Sequence, residues 1–191
     1  MNWRKQPQHG QSTVEFGASA IVLMLILLGL IDFGRVFYFD VGLIGAVREG
    51  ARQASWFDPS NSNNPNPFLY DASIKSSVDA VLAHSGLPDS QLQNPTTTCP
   101  SPVDGNANYN PPYDDSLYPT SLNQPLLFIC YANTPGLDLT SAPTDNSYKG
   151  SDVNVILVMS FGFASGLLGG VLGSSVHIVG NAHMTIGGYT P

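Results

Sequence analysis

Apolar residues are spread very unevenly along this chain. Residues 1–10 (MNWRKQPQHG) are polar and carry Arg4 and Lys5. Phe16 to Ile31 then runs sixteen residues without a charge (FGASAIVLMLILLGLI), and Asp32 closes the run. Counted from Val14 with Glu15 tolerated, about eighteen residues are available, near the lower end of the roughly 17–25 that a membrane-crossing helix needs. The Lys/Arg pair ahead of the run and the acidic far side predict a single pass with the N-terminus in the cytoplasm. Arg35, Arg48 and Arg52 weaken that asymmetry, which a long translocated domain tolerates. A cleaved secretory signal fits less well. The apolar core is longer than usual for one, and the small-residue triplet Ala18-Ser19-Ala20 lies at its start rather than after it.

The helix is expected to continue past the membrane. No proline occurs from Asp32 to Ser55, and apolar residues recur every three or four positions at Val36, Leu43/Ile44, Val47, Ala51 and Ala54. Ser12 followed three residues later by Glu15 has the pattern of a capping box at the start, and Asp58-Pro59 ends the segment. A helix from Ser12 to Phe57 would be about 65–70 Å long at 1.5 Å per residue. Its first half would sit in lipid and its second half would form an exposed stalk. Gly42, Ala46, Gly50 and Ala54 fall on one i+4 line, which lets another backbone come close. That backbone is either the chain's own later sheet or the helix of a neighbouring copy.

Beyond the stalk the pattern changes to turns, one short helix and strands. Residues 58–70 form a turn-rich linker. Asp71 to Ser85 reads as an amphipathic helix with Ile74, Val78, Val81 and Leu82 inside, Asp71 or a neighbour as N-cap and Gly86 beyond its end. Residues 87–125 are proline-rich loop with room for a short strand near Thr96–Cys99. Leu126–Ala132 reads as a buried strand. Val153–Phe163 and Val176–Ile186 read as two strands, the second alternating with Val176, Ile178, Ala182, Met184 and Ile186 on one face. A second membrane helix over Val155–Val171 is the competing reading; the glycines of residues 162–173 and the β-branched start oppose it. The expected fold class is α+β: a long N-terminal transmembrane and stalk helix, then a small antiparallel sheet head with a short helix. The expected organisation is residues 1–10 as a cytoplasmic leader, 11–57 as transmembrane and stalk helix, and 58–191 as an extracytoplasmic head.

Charge narrows the function. Only 11% of the residues are Asp, Glu, Lys or Arg, against about 25% in soluble domains. Seven bases against fourteen acids give −7, and beyond Arg52 the only cations are Lys75 and Lys149, which argues against nucleic acid as a partner. Two cysteines, Cys99 and Cys130, cannot build a four-cysteine zinc site. Outside the cytoplasm they are the natural disulfide, closing a Pro- and Asn-rich loop. Asp104, Asn106, Asn108 and Asp115 echo a calcium loop, but Tyr109 stands where glycine is needed, so a polar turn is expected. His177 and His183 read as surface residues, and the adjacent Asp114 and Asp115 as diverging loop residues. No nucleophile elbow or phosphate loop occurs, and the residues call for no catalytic set, metal or cofactor.

The front of the chain carries the most specific signal. His9-Gly10-Gln11-Ser12-Thr13-Val14-Glu15-Phe16, directly before the apolar run, resembles the processing site of type IV prepilins. The Asp32–Arg35 sequence Asp-Phe-Gly-Arg and the Ala46–Arg52 sequence Ala-Val-Arg-Glu-Gly-Ala-Arg follow in order. Together residues 10–55 resemble the TadE-like family, pseudopilins of tight-adherence (Flp-type) pilus systems.

The resemblance implies cleavage by a prepilin peptidase between Gly10 and Gln11, and assembly of a pilus with other pilin-like subunits and the assembly platform. It implies that Glu15, beside Phe16, pairs with the new N-terminal amine of a neighbouring subunit and so sets register; a first-turn acid also gains from the helix dipole on its own account. It places the protein in the cytoplasmic membrane, with incorporation into a surface filament as the further step. Asp32 with Arg35, and Glu49 with Arg52, stand three apart and are expected to be either solvated helix-surface pairs or subunit contacts. The alternative function is a membrane-anchored extracytoplasmic binding domain that never polymerises, with recognition in its loops at 95–125.

Overall fold

The structure is a computed structural model, and it describes residues 10–57, 66–93, 99–100, 111–131, 139, 143, 148–165, 169–170 and 173–189. It is built on α1 (Gln11–Ser55), one unbroken helix of 45 residues. At 1.5 Å per residue α1 is about 68 Å long. Its N-cap is Gly10, with no side-chain capping bond. The capping box expected at Ser12 and Glu15 is therefore not formed. The helix starts one residue earlier, and Ser12 already has helical geometry.

The second half of α1 is not an exposed stalk. Leu43, Ala46, Val47, Ala51 and Ala54 are fully buried beneath the rest of the chain. The three-to-four spacing that the sequence shows is a core stripe, because a second layer packs on it. That layer begins with α2 (Asp71–His84), which buries Ile74, Val78 and Leu82 as its apolar spacing requires. Its N-cap is Tyr70, one of the neighbours considered for that place. Gly86 adopts φ +65°, and the amides of Gly86 and Leu87 bond back to Ala83 and Leu82, closing the helix as a C′ glycine does.

The sheet has four strands in the order β2 (Gln91–Gln93), β3 (Leu126–Tyr131), β4 (Asp152–Gly162) and β5 (Ser175–Thr185). β3, β4 and β5 are antiparallel, with Cys130 opposite Asn154 and Val155 opposite Ala182. Val155 begins no membrane helix; it lies mid-strand. β2 is parallel to β3, so the sheet is mixed rather than wholly antiparallel. The reason is the long excursion over residues 94–125, which returns the chain to the end where it began; a tight hairpin would have forced antiparallel pairing. β2 lies just ahead of the place where a strand was expected near Thr96–Cys99. Cys99 lies outside any strand, and Thr96–Thr98 lie outside the described residues. A two-stranded parallel ribbon, β1 (Trp56–Phe57) with β6 (Gly188–Tyr189), ties the C-terminal region to the end of α1.

β4 is central and buried on both faces, hence its nearly continuous apolar sequence. Val153, Val155, Leu157, Met159 and Phe161 face α1 and α2. Ile156 and Val158 face the other way, against Phe128, Cys130 and Tyr113. No helix longer than the 3₁₀ turn at Asp115–Leu117 covers that second face among the described residues. The covering layer is loop, and the Cys99–Cys130 disulfide fastens it to β3 with Cα atoms 6.0 Å apart. A loop has few contacts to hold it in place, so a covalent tie is where such a layer gains most.

Candidate functional site

Three features of α1 set out what the chain can do. The first is its N-terminal half. Val14, Phe16 and the apolar residues from Ile21 to Ile31 are largely exposed. Within Ser12–Ser55 an 18-residue window of mean hydropathy 2.5 is wholly unburied. A helix of that length with its apolar side chains pointing outward on all sides is compatible with a membrane anchor. Gly10 and Gln11 stand at its very start, and Glu15 and Phe16 lie on its exposed first turns.

The second feature is Asp32, which ends the apolar run and is fully buried. Its carboxylate accepts the backbone N–H of Ala164 and of Ser165, each at 3.0 Å, and the Ser165 hydroxyl. Arg35 adds a longer contact at 3.4 Å and lays its guanidinium over the rings of Phe161 and Phe39. Asp32 is therefore not on a solvated helix face: its partners are residues of its own chain. A buried carboxylate requires donors, and the residues just past the end of β4 supply them. Ala164 and Ser165 were not legible as partners, because they lie 132 and 133 residues away in sequence. The only local hint was that an acid had ended an apolar run.

The third is the small-residue line. A Cβ on Gly42 would lie 2.8 Å from the Ser85 hydroxyl, and one on Gly50 would lie 2.6 Å from a Val78 methyl and 3.2 Å from one of Val155. Ala46 and Ala54 are buried in the same core. What comes close to this line is the chain's own α2, the Ser85 that follows it and the sheet, through their side chains. From the other side, a Cβ on Gly180 of β5 would lie 3.0 Å from the Leu43 carbonyl oxygen, so helix and strand meet nearly backbone to backbone.

Beside this line a shallow groove is lined by Gly45, Arg48, Glu49, Arg52, Asn181 and His183. Glu49 and Arg52 form the expected i,i+3 pair on its rim, with Arg52 Nε donating at 2.9 Å. That hydrogen bond, with the added attraction of the guanidinium charge, outweighs partial burial and lowers the Glu49 pKa. On the far face of the sheet, Tyr118 stacks on His177 at 3.9 Å, and Asp115 lies 3.3 Å from the same imidazole. His183 lies 3.4 Å from Asp152. Asp114 accepts the Ser116 N–H and caps the 3₁₀ turn, so the two adjacent acids do diverge. Burial raises the Tyr113 phenol well above its ordinary value, while its oxygen accepts from Asn181 at 2.9 Å. Asp104, Asn106 and Asn108 lie outside the described residues. Among the described residues no group of three or more His, Cys, Asp or Glu is placed to hold a metal ion.

Among the described residues these contacts hold a shape together. The class they define is an α+β head on a long N-terminal helix whose apolar first half is compatible with a membrane anchor. The model of the family described as TadE-like protein matches residues 10–52, which is most of α1. That stretch resembles a pilus-associated structural family rather than an enzymatic one. No curated protein and no solved structure matches the chain.

Proposed function

We propose that the chain is a pilin-like, single-pass subunit of a tight-adherence pilus system. A prepilin peptidase would process it after Gly10, releasing residues 1–10 as a cytoplasmic leader. The observation that carries this reading is the coincidence of two boundaries: the TadE-like match begins at Gly10, where α1 also begins, and the helix that follows exposes its apolar side chains. In this reading residues 11–31 anchor the protein in the cytoplasmic membrane, and the sheet, α2 and the second half of α1 stand outside the cytoplasm. An oxidising exterior agrees with the Cys99–Cys130 bond. Cleavage would free an amine at Gln11, and Glu15 of a neighbouring subunit would neutralise it at the low-dielectric edge of the membrane, fixing axial register.

The test is fractionation of cells carrying an epitope-tagged chain. Recovery in sheared filaments, or co-purification with pilus-assembly components from the membrane, supports the reading. Glu15→Gln should lower that recovery while leaving the amount of membrane-inserted subunit unchanged. Exclusive recovery of a protein bound to neither overturns it. One observation favours the second reading, an anchored binding domain that does not polymerise: Gly42, Ala46, Gly50 and Ala54 are used within the chain, so this small-residue line does not serve helix packing between copies.

A further inference from the structure

The apolar surface of α1 does not stop at Asp32. On the side away from the sheet, Phe33, Phe37, Tyr38 and Val41 remain exposed, Phe37 by 68% and Val41 by 69%. They continue the line of Leu30 and Ile31 without a break, spaced three and four apart. The charged groups in this stretch are drawn aside. Asp32 is sealed under Ala164 and Ser165, Arg35 lies on the Phe161 and Phe39 rings, and Asp40 is half-buried. The next fully exposed charge on α1 is Arg48.

Bilayer thickness gives this surface a place. A hydrocarbon core of about 30 Å takes about 20 helical residues. Measured from Phe16, just past Glu15, it reaches Arg35, and tilt lengthens the span further. Asp32 and Arg35 then stand inside the hydrocarbon edge. There, an ionised carboxylate is tolerated only if donors enclose it, and Asp32 is so enclosed. Those donors belong to the residues just past the end of β4, which must therefore sit at the same depth. That end brings no charge with it, since no Asp, Glu, Lys or Arg occurs from Val153 to Pro191. Tyrosine favours this zone of a bilayer, and Tyr38 is exposed there beside the apolar surface of Phe33 and Phe37.

We infer that the head is seated in the membrane surface rather than held above it: the open face of α1 through Val41 and the end of β4 around Ala164 form one lipid-contacting surface. The occupant is the acyl-chain and headgroup boundary of the bilayer. The inference rests on the membrane-anchor reading above and extends it. The Asp32 cluster acts as the sealed joint between span and head, and it fixes the depth at which the head rides.

The test uses the full chain in phosphatidylcholine vesicles, with Trp3 and Trp56 replaced by Phe and a single new tryptophan introduced at an exposed position. The positions are Ile26→Trp inside the span, Phe37→Trp and Ala164→Trp on the inferred surface, and Ala72→Trp at the far end of α2. Because all four side chains are exposed, the fold should survive, and circular dichroism checks it. Lipids brominated on the acyl chain should quench Ile26→Trp, Phe37→Trp and Ala164→Trp, with a blue shift of emission, and leave Ala72→Trp unaffected. Quenching of Ile26→Trp alone would overturn the inference and spare the anchor. Quenching at none of the four would overturn both. If Phe37→Trp is shielded from lipid and instead crosslinks between chains, a second copy covers that face and the inference fails.

Discussion

The two halves of α1 form one continuous helix in opposite circumstances. Gln11–Ile31 is an apolar run with Glu15 as its one charge, whereas Asp32–Ser55 repeats apolar residues at helical spacing among charged ones, and both halves contain glycine. From Ser12 to Ile31 no residue of the helix is buried; from Asp32 to Ser55 one side of it packs against α2 and the sheet. Gly29 and Gly50 make the contrast concrete. A side chain at Gly29 would meet nothing within 4 Å, whereas one at Gly50 would collide with Val78 and Val155. The same residue type serves an exposed apolar rod in one half and a close-packed interior in the other.

That contrast can be broken most severely at the glycines. Gly50→Leu should abolish the cooperative melt of the head, costing about 3 kcal/mol or more, whereas Gly29→Leu should leave the melting temperature of detergent-solubilised protein unchanged. Equal effects would mean that the two halves do not differ in packing. Next in size is the covering loop. Replacing both Cys99 and Cys130 with Ser should lower stability by about 2–4 kcal/mol, read as a lower melting temperature without loss of helix content. Asp32→Asn keeps the shape but exchanges one acceptor oxygen for a donor that faces Ala164 or Ser165. A loss of about 1–3 kcal/mol is expected by thermal melting.

The smallest effect concerns acid. Burial raises the Asp79 pKa, but the hydrogen bonds from Lys75 and from the Ser90 amide and hydroxyl outweigh it, leaving it below 3.8. A depressed folded pKa stabilises at pH above the unfolded value and loses that contribution as pH falls through the folded one. The melting-temperature advantage of wild type over Asp79→Asn should therefore hold at neutral pH and shrink below about pH 4. An advantage that grows on acidification would contradict the assignment.

Much of this was legible before any coordinates. The unbroken helix, α2 with its Gly86 stop, and the strands around Leu126, Val153 and Val176 follow from periodicity and punctuation, which act over a few residues. What could not be read was which surfaces meet. The line from Gly42 to Ala54 announced a close approach without saying to whom, and an apolar stripe looks the same whether the chain or a neighbour covers it. The direction of β2 depended on a long loop whose path leaves no local signature. The burial of Asp32 depended on residues more than a hundred positions away. The covering of the far sheet face was half visible, since Cys99 and Cys130 marked the tie but not the layer it holds.

The central claim is that α1 begins life behind a leader and is freed at Gly10. Mass spectrometry of the protein recovered from its native membrane tests it directly. The account predicts a chain starting at Gln11, and retention of the leader in the Gly10→Ala variant. A wild-type chain that keeps residues 1–10, or one cut beyond the apolar run, would contradict it.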